Sequence, residues 1–162
     1  MSANLARQLP ATVQDSLASR TVGSEAGTSQ LRYENFRRHY ELGPDEKWQV
    51  AVVEKLVAFA KLPLGWDGYS APPVKWDAGM FALNVLTQVM LPRTPAPQIV
   101  PSSAGGVQFE WHTGGIDLEF HVSGPYDCEL WVEDHCTGTN KSVLVSDDLS
   151  DLQNAVRTLT SR

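Results

Sequence analysis

Residues 107–122 contain the feature that most constrains the fold, two alternating segments joined by Gly114-Gly115. In both segments every second residue is apolar and the residues between are polar, which predicts strands with one buried face. Two consecutive glycines favour a type I′ turn, because both central residues of that turn have positive φ. The pairs that this turn predicts are Thr113 with Ile116, Trp111 with Leu118 and Phe109 with Phe120. Their apolar members all fall on one face, so register and pattern agree on an antiparallel hairpin.

The remaining pattern predicts helices before this hairpin and more strands after it. Apolar residues at helical spacing predict one helix from Pro44 to Lys61 and another from about Val74 to Leu91. Prolines between residues 92 and 101 then favour extended chain. Further elements are predicted as strands Cys128–Asp134 and Ser142–Ser146 and a helix from about Leu149 to Thr160, capped by Asp147 or Asp148. This order predicts an α+β fold: two helices, an antiparallel meander of four to five strands and a C-terminal helix, with the helices packed on one sheet face.

The N-terminal 30 residues differ from the rest of the chain. They contain no aromatic residue and are rich in Gly, Ser, Thr and Ala, so they bury too little surface to offset the entropy of ordering. We expect a flexible arm over residues 1–30 and a single α+β domain over residues 31–162. Four apolar residues spaced by four leave a short amphipathic helix open as an alternative: Leu5, Leu9, Val13 and Leu17.

The lengths of the apolar runs and the positions of the two cysteines indicate the cellular location of the protein. No run approaches the ~18 apolar residues that span a bilayer, and polar residues interrupt the N-terminus where a signal peptide would be apolar. An organellar transit peptide stays an alternative to a cytoplasmic location. Cys128 and Cys136 bracket a predicted strand, which would hold them beyond disulfide reach. We therefore expect free thiols and a cytoplasmic, reducing location.

Charge is divided unevenly along the chain. Residues 1–40 carry a net charge of +2 and residues 41–162 a net charge of −8, which sum to −6. Residues 105–155 contain ten acids and one base, Lys141. Such a surface repels phosphates and attracts a basic protein or a cation, so nucleic acid is not favoured as a partner. Direct DNA binding would depend on only three arginines, Arg32, Arg37 and Arg38.

The polar side of the predicted sheet holds the candidate binding residues. The register sets Glu110 opposite Glu119 and His112 opposite Asp117, and like charges in opposed positions are destabilising. A basic partner would compensate these charges, and we assign six residues to its binding: Glu110, Asp117, Glu119, Glu129, Trp131 and Glu133. Trp131 is either an anchor for that partner or is covered by the N-terminal arm or another segment. The alternatives are a merely solvated face and a metal-assisted hydrolase that uses Glu110, Glu119, His121 and Glu133. No catalytic residue, metal or other cofactor is assigned, and a homo-oligomer is left open.

A second candidate is the loop Gly65-Trp66-Asp67-Gly68-Tyr69. Its glycines permit tight turns, Trp66 can fill the seam between helix and sheet, and Asp67 can accept backbone N–H groups within the loop. We interpret Trp66, Asp67 and Tyr69 as a structural loop, with contact to a ligand as the alternative.

These two motifs carry a family resemblance. The Trp-Asp-Gly-Tyr loop, followed by Gly105-Gly106-Val107-Gln108-Phe109-Glu110-Trp111 and Leu118-Glu119-Phe120, resembles a group of small uncharacterised bacterial proteins over about residues 48–160. This chain has Val74-Lys75-Trp76 where the group has a Ser-Pro-Glu helix start, which leaves only the helix boundary in question. The resemblance implies a bacterial or phage cytoplasmic protein and implies no reaction.

Together these observations favour a non-catalytic acidic protein-interaction module. An antitoxin, immunity or accessory component of a bacterial or phage system fits the size and the charge. Enzyme activity is not favoured, because no nucleophile–base pair or metal-ligand spacing such as HExxH or CxxC occurs.

Overall fold

The predicted hairpin forms the second and third strands of a five-stranded antiparallel sheet in a computed structural model that describes residues 47–162. The strands are β1 (Gln98–Pro101), β2 (Val107–Thr113), β3 (Ile116–Gly124), β4 (Asp127–Asp134) and β5 (Thr139–Val145). Their order in the sheet is their order in the chain. Three helices accompany them in the described part of the chain: α1 (Lys47–Phe59), α2 (Trp76–Val89) and α3 (Ser150–Ser161). The predicted α+β fold, a meander between two leading helices and one C-terminal helix, is confirmed.

Several predictions fall outside the described residues. These are the flexible arm over residues 1–30, its alternative helix, the domain boundary at residue 31, the helix start at Pro44 and the three N-terminal arginines.

The register of the hairpin is confirmed residue by residue. Thr113 pairs with Ile116, and Phe109 pairs with Phe120. Gly114 and Gly115 have φ of 63° and 72°, as a type I′ turn requires.

Element boundaries differ from the sequence predictions by a few residues. Helix α2 begins at Trp76 and not at Val74, because Lys75 has an extended backbone, with φ of −64° and ψ of 131°, and is the N-cap of the helix. Strand β5 begins at Thr139, three residues before the predicted Ser142. A turn ending at Gly138, with φ of 68°, brings β5 alongside the end of β4.

The core lies between the helices and one side of the sheet. Phe109, Phe120 and Leu118 from the sheet and Leu86 from α2 are fully buried. Complete burial of such side chains contributes about 1.5–3 kcal/mol each. Trp111 is also buried, and its indole N–H donates to the Pro95 carbonyl at 2.8 Å. The helices therefore cover one sheet face, as predicted.

Both cysteines are free thiols, which confirms that prediction. Cys128 is buried on the core side of β4, where burial raises the pKa of its thiol to about 11. Cys136 is exposed in the turn after β4. None of the helices within residues 47–162 has the length and apolar character of a membrane span.

Candidate functional site

The side of β2, β3 and β4 that faces away from the helices is called the outer face below. Alternate residues of these strands project to it, and the pairing of the strands arranges them in rows. The rows are Gln108–His121–Glu129, Glu110–Glu119–Trp131 and His112–Asp117–Glu133. All six residues predicted to bind a partner therefore lie on this one face.

The opposed carboxylates of Glu110 and Glu119 share a donor from the same face. The side-chain amide of Gln108 donates to Glu110 Oε1 and to Glu119 Oε2, both at 3.0 Å. An amide has two N–H groups, so one residue satisfies both acids. The sequence prediction gave the compensating role to a cation or a partner and missed this bond. Its signal was present, since Gln108 precedes Glu110 by two residues and lies diagonally from Glu119.

A shallow depression of about 350 Å³ lies in the middle of the outer face. It is lined by Gln108, Glu119, His121, Glu129 and Trp131. On its β5 side, the hydroxyl of Ser142 donates to Glu129 Oε1 at 2.9 Å. The indole of Trp131 is half-buried and pairs in register with Glu119. The depression thus joins an aromatic surface to two carboxylates.

The outer face carries no lysine or arginine from the described strands. Lys141 is the single such residue in β1–β5. It pairs in register with Val132, on the side where the helices pack, and its ammonium bonds Asp151 Oδ1 of α3 at 2.6 Å. The hydrogen-bond donors to Glu119 and Glu129 are a neutral amide and a neutral hydroxyl, whereas Glu110 also lies 3.5 Å from the imidazole Nε2 of His112. These bonds satisfy the carboxylates without cancelling their charge.

Two imidazoles and two carboxylates form a separate cluster at the end of the outer face near the β2–β3 turn, called the His–Asp cluster below. Its residues are His112, Asp117, Glu133 and His135. Asp117 Oδ1 lies 2.9 Å from His112 Nδ1, and Asp117 Oδ2 lies 2.7 Å from His135 Nε2. These two hydrogen bonds, that of His135 first, lower the pKa of Asp117. The same bonds to Asp117 raise the pKa of His112 and the pKa of His135.

The four residues named for a metal-assisted hydrolase fall in two places. Glu119 and His121 line the depression, and Glu110 is tied to it through Gln108. Glu133 instead belongs to the His–Asp cluster, with its Oε1 3.8 Å from His135 Nδ1. Neither Asp117 nor His135 was in the predicted metal set. Their contact could not be read from pairing alone, because His135 lies beyond the last residue of β4.

The second candidate, the Trp-Asp-Gly-Tyr loop, is held by hydrogen bonds between its side chains and its own backbone. Asp67 Oδ1 accepts the N–H groups of Tyr69 at 2.9 Å and Ala71 at 3.1 Å. These bonds lower the pKa of Asp67. The Trp66 indole donates to the Pro72 carbonyl at 2.8 Å, while Tyr69 is exposed. The side-chain hydrogen bonds of Asp67 and Trp66 thus stay within residues 65–72.

No protein-family model matches this chain, and neither the curated proteins nor the solved structures contain a match to it.

Proposed function

We propose that the outer face is a docking surface for a basic segment of another protein, and that the chain is a non-catalytic interaction module. The observation that carries the proposal is the excess of carboxylates over lysine and arginine on this face. Five carboxylates project from β2–β4 on one side, and among the described strands no lysine or arginine joins them.

The internal hydrogen bonds of the face favour a partner over self-neutralisation. The amide of Gln108 and the hydroxyl of Ser142 hold Glu110, Glu119 and Glu129 in place. Because both donors are neutral, these bonds leave the negative field of Glu119 and Glu129 at the depression uncancelled. An arginine- or lysine-rich segment complements that field, and its association should weaken as the salt concentration rises.

Trp131 supplies an anchor at the centre of this surface. Aromatic residues in partly desolvated depressions contribute strongly to protein interfaces. A guanidinium or ammonium group can lie over an indole ring while carboxylates at the rim accept its N–H groups. The depression offers both, with Trp131 beside Glu119 and Glu129. We therefore assign the middle of the outer face to one cationic side chain of the partner.

The charge of the outer face and the resemblance support a bacterial or phage setting. We propose an antitoxin, immunity or accessory component of a bacterial or phage system, a role in which a strongly charged face would bind a basic partner. The Trp-Asp-Gly-Tyr and Gly-Gly-x-x-x-Glu-Trp motifs support a bacterial or phage origin. The free thiols of Cys128 and Cys136 support a cytoplasmic location.

The test uses the full chain as bait in native lysate and three variants at matched concentration. Glu129→Lys reverses a charge at the depression, and Trp131→Ala removes the indole. Asp147→Lys makes the same charge reversal at an exposed position outside β1–β5, before α3, and is the control. A stoichiometric partner is then purified, and its affinity for each variant is measured by calorimetry at two salt concentrations.

We expect the partner to bind the wild type and Asp147→Lys alike and to bind Glu129→Lys and Trp131→Ala at least tenfold more weakly. Equal affinity for all four proteins would refute docking on the outer face. So would the absence of any stoichiometric partner. If sedimentation equilibrium showed self-association and no other partner bound, the outer face would be assigned to a homo-oligomer contact and not to a basic partner.

A further inference from the structure

The His–Asp cluster presents side chains from three neighbouring strands to one point. Asp117 on β3 lies directly opposite Glu133 on β4 and directly opposite His112 on β2. His135 follows β4 and returns to the same point, with Nε2 2.7 Å from Asp117 Oδ2. The set therefore mixes imidazole nitrogens with carboxylate oxygens, which an acidic patch alone does not do.

We propose that Asp117, Glu133 and His135 form a binding site for a divalent transition-metal ion of the Zn²⁺ class. One ligand atom from each of the three lies within 4.8 Å of the other two. Ligands bound to one Zn²⁺ at about 2.0–2.2 Å lie about 3.4 Å apart in a tetrahedron. Small side-chain rotations that widen the 2.7 Å contact between Asp117 and His135 and turn Glu133 toward them would fit the set around an ion, which would replace the proton of that hydrogen bond. The three side chains are partly exposed and can make these rotations.

The surroundings fit a metal ligand sphere in two further respects. His112 Nδ1 bonds the other oxygen of Asp117 at 2.9 Å, which fixes the orientation of that carboxylate. His112 Nε2 lies 3.5 Å from Glu110 Oε2, so His112 is itself held. Three protein ligands leave a fourth position for water or a partner's side chain.

The ligand chemistry selects the class of ion. Ca²⁺ and Mg²⁺ prefer oxygen ligands, and Mg²⁺ keeps much of its water. An imidazole with two carboxylates suits Zn²⁺, Co²⁺ or Ni²⁺ better. Within residues 47–162, no lysine or arginine forms an ion pair with Asp117 or Glu133. Two directly opposed carboxylates thus lack a fixed cation that would compete with the metal.

The test titrates Zn²⁺, and then Co²⁺, into the full chain carrying Cys136→Ser. That background removes the exposed thiol, which otherwise offers a competing ligand near the turn. The variants are Asp117→Asn and His135→Gln, and the control is His121→Gln, a histidine of the outer face that lines the depression. Circular dichroism checks that each variant is folded.

We expect one equivalent of Zn²⁺ to bind the background and His121→Gln with equal affinity and to raise their melting temperatures. His135→Gln and Asp117→Asn should each weaken binding at least tenfold and abolish the rise. Bound Co²⁺ should show the visible absorption of a low-coordinate ion with nitrogen and oxygen ligands. The proposal is overturned by no binding, by binding that survives His135→Gln, or by loss of binding in His121→Gln. The docking proposal is tested separately, because Glu129 and Trp131 lie outside this cluster.

Discussion

Removal of the Gln108 amide tests what holds two opposed acids on the outer face. Gln108→Met keeps the length of the side chain but leaves Glu110 and Glu119 opposite each other with no shared donor. A hydrogen bond to a charged group contributes about 1.5–3 kcal/mol when buried, and solvent reduces that value at a half-buried position. With two bonds lost, each discounted to about 0.5–1 kcal/mol, we expect the free energy of unfolding to fall by about 1–2 kcal/mol.

The assay is urea unfolding at pH 7, read from the midpoint at constant slope. Gln98→Met is the matched control, because Gln98 is exposed on β1 and pairs with Glu110 on the same face. High salt should reduce the loss in Gln108→Met by screening the two acids. Addition of Glu119→Gln to Gln108→Met should recover part of it, since one of the opposed charges is then gone. An equal, small loss in Gln108→Met and Gln98→Met would refute the bridging role.

Two further perturbations test the close packing of Gly106 against β3 and the Trp-Asp-Gly-Tyr loop. In Gly106→Ala, the added Cβ would lie 2.5 Å from the carbonyl oxygen of Val122, so we expect the free energy of unfolding, measured in urea, to fall by about 1–3 kcal/mol. The control is Gly124→Ala, where a Cβ meets nothing within 4 Å and the free energy of unfolding should change little. Equal losses in the two variants would contradict the clash. Asp67→Ala removes a carboxylate whose pKa is lowered by the backbone N–H groups of Tyr69 and Ala71. Because the pKa of Asp67 is lower in the folded protein than in the unfolded chain, the carboxylate stabilises the wild type relative to Asp67→Ala at pH values above the ordinary pKa of a carboxyl group. This extra stability is lost as the pH falls through the lowered pKa of the folded protein. If the difference in free energy of unfolding between the wild type and Asp67→Ala were the same at pH 7 and at pH 3, this stabilising role of the Asp67 carboxylate would be refuted.

The sheet could be predicted from sequence because its information is local. The Gly114-Gly115 turn fixes the register of β2 and β3, and strict alternation then decides which residues face the core. Burial confirms that Phe109 and Phe120 point inward. The position of the acids on the opposite side followed without any knowledge of the helices.

The contacts within the outer face could not be predicted in the same way. The bonds from Gln108 depend on its rotamer, and His135 reaches Asp117 only because the chain turns after β4. Such contacts cross the rows that pairing defines. The start of α2 was missed for a related reason, since the extended backbone of Lys75, whose N–H bonds the distant Gly105 carbonyl, is not visible in the apolar pattern.

The meander order of the sheet has a consequence for how the outer face assembles. Each strand pairs with the strand that precedes it, and tight turns join β2 to β3 and β3 to β4. Every carboxylate of the face therefore meets its neighbours through short chain closures, whose entropic cost is low. Contacts of this kind favour rapid folding, so the negative surface can form before α3, at the far end of the sequence, has been added to the sheet.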